Sequence, residues 1–490
     1  MITTIERTAG NAGGYDAVVI PFSAKGEYTL SLGPQYDEAV KALAASKAWK
    51  PECGTVLSRS VFADNKFAEL VLVSLGDGTA SKRQLFLAMA KAFRKCRSVC
   101  AKKIAVFLDH AKEITNQKEA ARKFCELPHL VSYQFLAYKS AAAPCGFEEV
   151  SFITEMPGFE EIVREAETVA RGTLLARDLV NHPSMYMTPN QLAEEAVKVG
   201  SECGIEVEIL RKPQIEALHM GAFLAVARGA DDEPVVIVMR YRGDGSAKPP
   251  VALIGKGVMF DSGGYGMKSK MATMHDDMGG AAAVIGAMQT IALMKLPTPV
   301  VGVIAACKNM ISGKSYVPGD ILRSMNGKTI EMLNADAEGR LTLADAITYA
   351  VRREGAETLI DIATLTGAAK TSVGGNHAVL LASNETLAET VETAARTTCE
   401  QVWRLPEDEE LLTVLKSEAA DIKSSNPGNT MGGGSIVAGL FIREFTEGKP
   451  WAHIDMAPVN WSGEGNAYSS RGGTGYGAGL LYETVKRLEK

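Results

Sequence analysis

The stretch that decides the fold covers residues 251–264 and reads Val251-Ala252-Leu253-Ile254-Gly255-Lys256-Gly257-Val258-Met259-Phe260-Asp261-Ser262-Gly263-Gly264. It starts with a short apolar run, which is typical of a central β-strand covered on both faces. The acid and the glycines that follow predict a tight turn. Ligands in open α/β sheets bind beyond the carboxyl ends of the strands, so this stretch predicts a central strand with a functional site at its end.

Apolar runs and helical patterns alternate on both sides of this strand, which predicts a three-layer α/β/α domain with a mixed, largely parallel sheet. Lys256, Asp261 and Thr364 are expected just past strand ends, where an active site should lie. The predicted strands are Glu206–Leu210, Pro234–Arg240, Val251–Gly255, Val300–Ala306, Thr358–Ala363 and Ala378–Ala382, and the predicted helices are Asp277–Met294, Leu341–Arg353 and Glu385–Thr397.

The first third of the chain alternates in the same way and predicts a smaller N-terminal α/β domain. A long helical pattern from Phe159 to about Val180 ends before Pro183. We therefore expect an N-terminal domain over residues 1–160 and a catalytic domain over residues 161–490. The strands expected in the first domain are Ala17–Phe22, Leu70–Leu75, Ile104–Leu108 and Val150–Thr154, and the helices are Glu38–Ser46, Lys82–Lys95 and Asn116–Cys125. Thr188 and Pro189 are predicted to begin the next helix, which runs to about Cys203.

The overall composition limits the class of protein. A chain of 490 residues, 46% hydrophobic and 22% charged, is expected to form at least two globular domains. Its 58 acids and 52 bases give a net charge of −6, which argues against a nucleic-acid partner. Neither a secretory signal nor an apolar run of about 18 residues is visible, so we expect a cytoplasmic protein with no membrane association.

The cysteines and histidines do not predict a metal site of their own. The eight cysteines are expected to be reduced thiols. Cys96 and Cys100 lie one helical turn apart, but a metal site would need two more soft ligands nearby, and none is evident. The seven histidines form no ligand pair either. Any metal should therefore take mainly oxygen ligands, which suits Mn²⁺, Mg²⁺ or Zn²⁺.

Four acids, two lysines and an arginine gather around two stretches. The first begins at Gly255, and the second reads Asn334-Ala335-Asp336-Ala337-Glu338-Gly339-Arg340-Leu341. Buried carboxylates that lie together repel each other and raise one another's pKa. Two divalent cations remove that cost, so the first hypothesis is a two-metal site with oxygen ligands. The charged residues are Lys256, Asp261, Lys268, Asp277, Asp336, Glu338 and Arg340.

Each acid has a simpler explanation when it is taken alone. Asp277 would stabilise the dipole of the helix that it begins, an effect of about 0.3–1 kcal/mol. Asp261 would be a turn residue, and Asp336 and Glu338 would form an Asx turn or a helix cap. None of these explanations accounts for the two lysines and the arginine that accompany the acids.

The glycines do not match a nucleotide-binding loop. A P-loop would need Ser or Thr after Lys256, where Gly257 stands. A dinucleotide-binding fingerprint that starts at Gly255 would need a small residue at Phe260. Both kinds of site are therefore improbable.

The second stretch resembles the Asn-Thr-Asp-Ala-Glu-Gly-Arg-Leu signature of the leucine (cytosol) aminopeptidases, with Ala335 in place of the threonine. The resemblance covers roughly residues 165–485. Nine positions separate Lys268 from Asp277, two fewer than the family pattern, and Pro458 stands where glycine is usual. The other similar stretches, in the same order as in the family, are Ala176–Pro189, Gly255–Gly264, Asp277–Met288, Pro318–Glu331, Ala363–Ala368 and Trp451–Ala457.

The resemblance implies two metal ions per subunit, Zn²⁺ or Mn²⁺, with Mg²⁺ or Co²⁺ as further alternatives. Asp261, Asp336 and Glu338 would hold one ion, and Lys256, Asp277, Asp261 and Glu338 would hold the other, so that Asp261 and Glu338 bridge. Lys256 must be neutral to act as a ligand, which is possible because the pKa of a lysine falls when it is buried beside dications.

The resemblance also implies roles for other residues. A hydroxide bridging the metals would attack the peptide carbonyl, and Lys268 would stabilise the oxyanion. Arg340, with Leu365, would hold a bicarbonate ion that acts as the general base. The substrates would be peptides with a free N-terminus, with leucine and other apolar residues preferred, and the protein would be a homohexamer. The implied pocket consists of Met274, Asn334, Ala337, Thr364, Leu365, Gly367 and Ala457.

Two other classes of function remain open from the residues alone. A dimetal hydrolase acting on a phosphoester would use Lys268 and Arg340 to bind the phosphate. A non-catalytic scaffold or regulatory binding protein could retain the fold, although all seven charged positions of the site are intact.

Overall fold

The structure is a computed structural model and describes residues 1–6, 13–23, 32–63, 65–115, 117–141, 145–245 and 247–489. Internal contacts divide the chain into two units. Unit 1 comprises Met1–Arg171 and Gly463–Arg471, and unit 2 comprises Gly172–Ser462 and Gly472–Lys490. The division at Arg171 lies inside a helix, whereas the sequence-based boundary lies near the start of that helix.

Unit 1 contains one sheet of six strands in the order β1-β6-β5-β2-β4-β3, in which only the β3–β4 pair is antiparallel. Its core is formed by side chains such as Ile20, Leu70 and Phe107. Helix Asn116–Cys125 was predicted here; Asn116 lies outside the described residues, and the helix begins at Lys118. The strands are β1 (Ile2–Glu6), β2 (Ala17–Phe22), β3 (Val56–Ala63), β4 (Lys66–Ser74), β5 (Lys103–Phe107) and β6 (Glu149–Ile153), and the helices are α1 (Pro34–Ala44), α2 (Lys82–Ser98), α3 (Lys112–Thr115) and α4 (Lys118–Ser132). Helix α5 (Phe159–Asn181) begins in unit 1, and its residues from Gly172 onward belong to unit 2.

Unit 2 has strands β7 (Glu206–Leu210), β8 (Val235–Tyr241), β9 (Val251–Asp261), β10 (Val300–Asn309), β11 (Ile321–Arg323), β12 (Thr329–Glu331), β13 (Thr358–Ala363), β14 (Ala378–Ala382), β15 (Val402–Arg404), β16 (Ile422–Lys423), β17 (Trp451–Asp455), β18 (Trp461–Ser462) and β19 (Gly472–Gly473). Its helices are α6 (Pro189–Cys203), α7 (Lys212–Ala217), α8 (Gly221–Ala227), α9 (Gly279–Leu293), α10 (Glu338–Arg352), α11 (Gly367–Val373), α12 (Glu385–Thr398), α13 (Gly434–Arg443) and α14 (Ala478–Leu488). The start of α6 is as predicted, since Thr188 Oγ1 accepts a hydrogen bond of 3.2 Å from Gln191 N.

The main sheet of unit 2 has eight strands in the order β15-β14-β17-β13-β9-β10-β8-β7. The four central strands, β17, β13, β9 and β10, are parallel to one another, while β8 and β14 join them antiparallel. Two neighbouring residues of β9 contact different helices. The absence of a side chain at Gly255 lets α9 approach at Ala281, and Ile254 belongs to the same buried apolar cluster as Leu341 of α10. Successive residues of a strand face opposite sides, so the two helices cover opposite faces, and the two-domain, largely parallel α/β prediction is confirmed.

The central strand is longer than its apolar run predicted. Lys256 and Asp261 were expected beyond the strand, but β9 continues to Asp261, so that prediction is wrong. The reason is pairing with β10, which sets Lys256 opposite Ala305 and, after a shift of register, Asp261 opposite Asn309. Thr364 does follow its strand directly.

In unit 2, two helix starts also differ by a few residues from the predictions. Helix α9 begins at Gly279, so Asp277 lies just before it rather than in it. Helix α10 begins at Glu338 rather than at Leu341. In the part of the chain that the structure describes, no helix combines the length and the apolar character needed to cross a membrane.

Candidate metal centre

Three buried carboxylates meet at the carboxyl end of the central strands. Asp261 ends β9, Asp277 precedes α9, and Glu338 is the first residue of α10. One oxygen from each lies within 4.8 Å of the others, and all three residues are buried. The structure therefore brings together acids that are 77 residues apart in sequence, from 261 to 338.

Lys256 lies among these carboxylates. Its Nζ is 2.8 Å from both carboxylate oxygens of Asp277 and 2.8 Å from Glu338 Oε1, and it donates a hydrogen bond of 2.7 Å to the carbonyl of Thr364. A side chain on Gly339 would place its Cβ 2.6 Å from Lys256 Cε. The glycine of the second stretch is thus needed for the lysine to reach the acids.

Lys268 holds the opposite, more open side of the cluster. Its Nζ lies 2.8 Å from Asp261 Oδ2 and 2.5 Å from Asp336 Oδ1. The side chain of Lys268 is 24% exposed, whereas that of Lys256 is 2% exposed. One lysine is therefore buried within the acids, and the other stands between two of them and the solvent.

The pKa values reflect crowded buried charge. Burial and the neighbouring Glu338 raise the pKa of Asp261 to about 6, although both lysines oppose this. Burial, together with Glu338 and Asp261, raises the pKa of Asp277 well above its ordinary value. Burial would lower the pKa of Lys256, but the surrounding carboxylates outweigh it and raise that pKa. In the absence of other cations, Lys256 is thus an ammonium group that partly neutralises the acids.

An asparagine that the sequence analysis missed connects the end of β9 to the turn before α10. Asn309 is fully buried, and its Nδ2 lies 2.8 Å from Asp261 Oδ1 and 2.9 Å from the carbonyl of Ala335. Tyr316 OH donates to the same carbonyl at 2.9 Å. The only signal in the sequence is a polar residue two positions after Cys307, at the end of the apolar run that begins at Val300, and this does not by itself indicate a function.

Arg340 is buried on the first turn of α10. Its Nη1 donates a hydrogen bond of 2.8 Å to the carbonyl of Ser424, and its Nε has no hydrogen-bond partner among the described residues. Burial lowers its pKa to about 10, although Glu338 and Asp455 act in the opposite direction. A guanidinium with an unsatisfied buried N–H is suited to receive an anion.

Asp455, at the end of β17, anchors the loop that follows β13. Its Oδ1 accepts hydrogen bonds of 3.0 Å from Leu365 N and 3.2 Å from Ala457 N, and its Oδ2 accepts one of 2.7 Å from Thr366 Oγ1. Thr364, in the same loop, donates from Oγ1 to Asp277 Oδ1 at 2.7 Å. One buried carboxylate thus ties Leu365, in the loop after β13 that contacts the acid cluster, to Ala457, which follows β17.

The other predicted pocket residues lie on segments that carry members of the centre. Met274 belongs to a short 3-10 turn that packs against β9. Asn334 Oδ1 accepts a hydrogen bond of 3.0 Å from Asp336 N, and Ala337, which is buried, follows in the same turn. Gly367 is the exposed first residue of α11.

Comparison with known proteins decides the family. The model of the cytosol aminopeptidase family's catalytic domain matches residues 174–482, and that of its N-terminal domain matches residues 21–142. The chain belongs to the cytosol aminopeptidase family. This confirms the resemblance found in the sequence and supports a metal-dependent aminopeptidase.

Relatives within this family align along nearly the whole chain. A probable cytosol aminopeptidase of Clostridium perfringens is 39% identical over 489 residues, covering 96% of this chain and 97% of that protein. One from Synechococcus sp. is 42% identical over 440 residues, covering 86% and 84%. A solved structure of the bottromycin maturation enzyme BotP in complex with Mn has a TM-score of 0.86 and 30% identity, covering 97% of this chain and all of the other.

The residues of this cytosol aminopeptidase centre fit divalent cations. Within the described chain, Glu338 Oε2 is buried and has no hydrogen-bond partner. Buried acceptors of this kind are costly unless a cation satisfies them. The nearby donors are carboxylate oxygens and one amine, which suit Mn²⁺, Mg²⁺ or Zn²⁺.

Proposed function

We propose that this protein is a dimetal aminopeptidase that removes N-terminal leucine and other apolar residues from peptides. The observation that carries the proposal is the group of three buried carboxylates, Asp261, Asp277 and Glu338, with Lys256 among them. Such a group is stable only when cations balance it. Membership of the cytosol aminopeptidase family supports the substrate class.

Asp261 and Glu338 would touch both metal ions, Asp336 would complete one site, and Lys256 and Asp277 would complete the other. The positions of these side chains support this assignment, because Lys256 and Lys268 already occupy cationic positions between the carboxylates. Two divalent cations would lower the pKa of a water molecule and polarise the scissile carbonyl. Zn²⁺ and Mn²⁺ are the proposed ions, and the manganese complex of BotP supports the second.

The chain's own residues would orient and stabilise the reacting peptide. Lys268, held by Asp261 and Asp336 and partly exposed, would direct its ammonium group at the oxygen that becomes negative in the transition state. Arg340, together with Leu365, would use its unpaired Nε–H to hold a bicarbonate ion, which would supply a general base.

The first side chain of the substrate would lie against Met274, Ala337, Leu365 and Ala457, which are apolar. Thr364 and Gly367 would leave space at the edge of this pocket, and Asn334 would shape the turn beneath it. A mostly apolar lining favours leucine or methionine. We also propose that the protein acts in the cytoplasm as a homohexamer, which light scattering behind a size-exclusion column would test.

Hydrolysis of a leucyl chromogenic amide by the purified protein tests the function. The assay would be run as isolated, after chelation, and after addition of Mn²⁺ or Zn²⁺. We expect activity to disappear and return with metal, and to be absent on an N-blocked substrate. A folded, metal-loaded protein that cleaves a chromogenic phosphoester but no leucyl amide would overturn the proposal.

Variants of the proposed ligands test the assignment of the metal sites. Asp277→Ala and Glu338→Ala should lose activity and bound metal, measured by elemental analysis, while circular dichroism stays unchanged. Asp345→Asn, on α10 but away from the acid cluster, is the matched control and should keep its metal. Full activity in either ligand variant would contradict the assignment.

A further inference from the structure

Two cysteines of unit 1 that the proposed function does not use have their sulfur atoms in contact. Cys145 Sγ lies 2.9 Å from Cys100 Sγ and 3.5 Å from the carbonyl of Arg97. Cys100 is exposed, and Cys145 is partly exposed, whereas Cys96, Cys125, Cys307 and Cys399 are buried. The pair is therefore both close together and accessible to a small reagent in solution.

The backbone around the pair is fixed by the sheet. Cys100 precedes β5 and Cys145 precedes β6, and these strands are parallel neighbours with Lys103 opposite Glu149. Glu148 N donates a hydrogen bond of 2.8 Å to the carbonyl of Lys102. Lys102 lies between Cys100 and β5, and Glu148 lies between Cys145 and β6. The sulfur atoms thus meet because two adjacent strands begin there, and they need to approach by less than about 1 Å to reach the length of a disulfide bond.

The backbone at Cys100 is unusual for a cysteine. Cys100 follows the end of α2 and has φ of 53°, the left-handed region that glycine adopts without strain after a helix. A side chain in that conformation is strained, because its Cβ lies too close to the following carbonyl oxygen. The conformation points the thiol of Cys100 at Cys145.

A metal site does not explain the pair. Among the described residues, Asp261, Asp277 and Glu338 form the one group of three or more His, Cys, Asp or Glu side chains close enough to hold a metal ion, and neither cysteine belongs to it. A soft metal such as zinc would need further ligands. Oxidation of the two thiols to each other needs no third residue.

We propose that Cys100 and Cys145 are a redox modification site and form an intrachain disulfide when the protein meets hydrogen peroxide. Peroxide oxidises the exposed Cys100 thiol to sulfenic acid and releases one water. The Cys145 sulfur then attacks the sulfenic sulfur, the S–O bond breaks, and the oxygen leaves as a second water. Two thiols are oxidised and one peroxide is reduced, and a dithiol reductant reverses the change.

Thiol counting and peptide mapping test this site. The full-length protein would be treated with hydrogen peroxide, and the thiols that remain would be counted after denaturation. We expect the count to fall from eight to six, with a single tryptic cross-link between Cys100 and Cys145 that dithiothreitol removes. The mass of the chain should fall by two hydrogen atoms.

Matched variants make the result decisive. Cys100→Ser and Cys145→Ser should each lose the cross-link, while Cys53→Ser, which removes another partly exposed thiol, should keep it. Cys100→Ser and Cys145→Ser should both hydrolyse the leucyl amide as the unmodified protein does before peroxide is added. The activity assay therefore tests the proposed function, and the cross-link separately tests this site. A cross-link between other cysteines, a cross-link between chains, or separate oxidation of Cys100 and Cys145 would overturn the proposal.

Discussion

Asn309 joins the end of β9 to the turn before α10, because its Nδ2 donates to Asp261 Oδ1 at 2.8 Å and to the carbonyl of Ala335 at 2.9 Å. The orientation of the proposed bridging ligand Asp261 therefore depends on a residue that is not itself a ligand. We predict that Asn309→Ala weakens metal binding by roughly 10- to 100-fold, with a smaller loss of kcat at saturating metal. Competition with a chromogenic chelator would measure the affinity.

Asn384→Ala provides the control for this prediction. Asn384 caps α12 by accepting a hydrogen bond of 2.9 Å from Leu387 N. Its loss should cost about 1 kcal/mol of stability and leave metal affinity unchanged. Equal metal affinity in Asn309→Ala and the unmodified protein would show that Asp261 is held correctly without the asparagine.

Lys268 should affect catalysis more than metal binding. Lys268→Met removes the ammonium group but keeps much of the length and the apolar part of the side chain. If the ammonium stabilises the oxyanion, kcat should fall by about 10²- to 10³-fold, while bound metal stays close to two ions per chain. Steady-state kinetics and elemental analysis of the same preparation would test both parts.

A different pattern would assign Lys268 another role. Lys270→Met, two residues away, is the matched control and should leave kcat unchanged. If Lys268→Met instead loses metal in proportion to activity, the contacts of Lys268 with Asp261 and Asp336 serve chiefly to shape the metal sites.

Features that depend on local chemistry were predictable from the sequence, and those that depend on pairing between distant segments were not. Thr188 caps α6 as predicted, because a cap needs only the first turn of its own helix. The extension of β9 to Asp261 depends on pairing with β10, in which Asp261 lies opposite Asn309, 48 residues later, and the pattern of a single strand does not contain this pairing. Asn309 was missed for the same reason, since its function depends on what lies opposite it.

The charged residues of the candidate centre were predictable because charged side chains are unusual at the buried positions where the sequence places them. Acids at the end of a buried strand and at the start of a buried helix are costly unless something balances them. The sequence did not show how the balance is made without metal. In the structure, Lys256 pairs with Asp277 and Glu338, and Lys268 pairs with Asp261 and Asp336.

Arg340 offers a test of the bicarbonate proposal. Arg340→Lys keeps the charge but loses the planar fork of donors and the unpaired Nε–H. We predict that added bicarbonate raises kcat of the unmodified protein and does not raise that of Arg340→Lys, whose kcat should be lower by about 10²-fold. The rates would be measured in a degassed, carbonate-free buffer and again with added bicarbonate.

The contact with Ser424 is the structural alternative for this arginine. Arg340 Nη1 donates to the Ser424 carbonyl, so a loss of stability in Arg340→Lys would indicate an anchoring role. An unchanged melting temperature with lost bicarbonate response supports the anion site. An equal response to bicarbonate in both proteins would exclude it.

Asp345 predicts a pH dependence of stability that does not involve the metal centre. It is fully buried on α10, and its carboxylate accepts hydrogen bonds from Phe223 N at 2.9 Å and Met325 N at 2.8 Å. Burial raises its pKa to about 7, although the backbone N–H groups oppose this. The unfolded chain, with a pKa near 3.9, binds fewer protons between these values, so the stability contributed at this position falls as the pH rises through about 7.

Asp345→Asn removes this titration and also places an amide against backbone donors, so the variant should be less stable at every pH. Its deficit relative to the unmodified protein should be larger at about pH 5 than at about pH 8, by roughly 2–3 kcal/mol. Urea denaturation at several pH values would measure the free energy of unfolding of both proteins. The control Asp231→Asn, at an exposed position, should leave the pH dependence of that free energy unchanged. A loss of stability in Asp345→Asn that stays constant, or that grows as the pH rises, would contradict this prediction. It would mean that Asp345 is ionised in the folded protein throughout this range, because the backbone donors stabilise the carboxylate more than burial destabilises it.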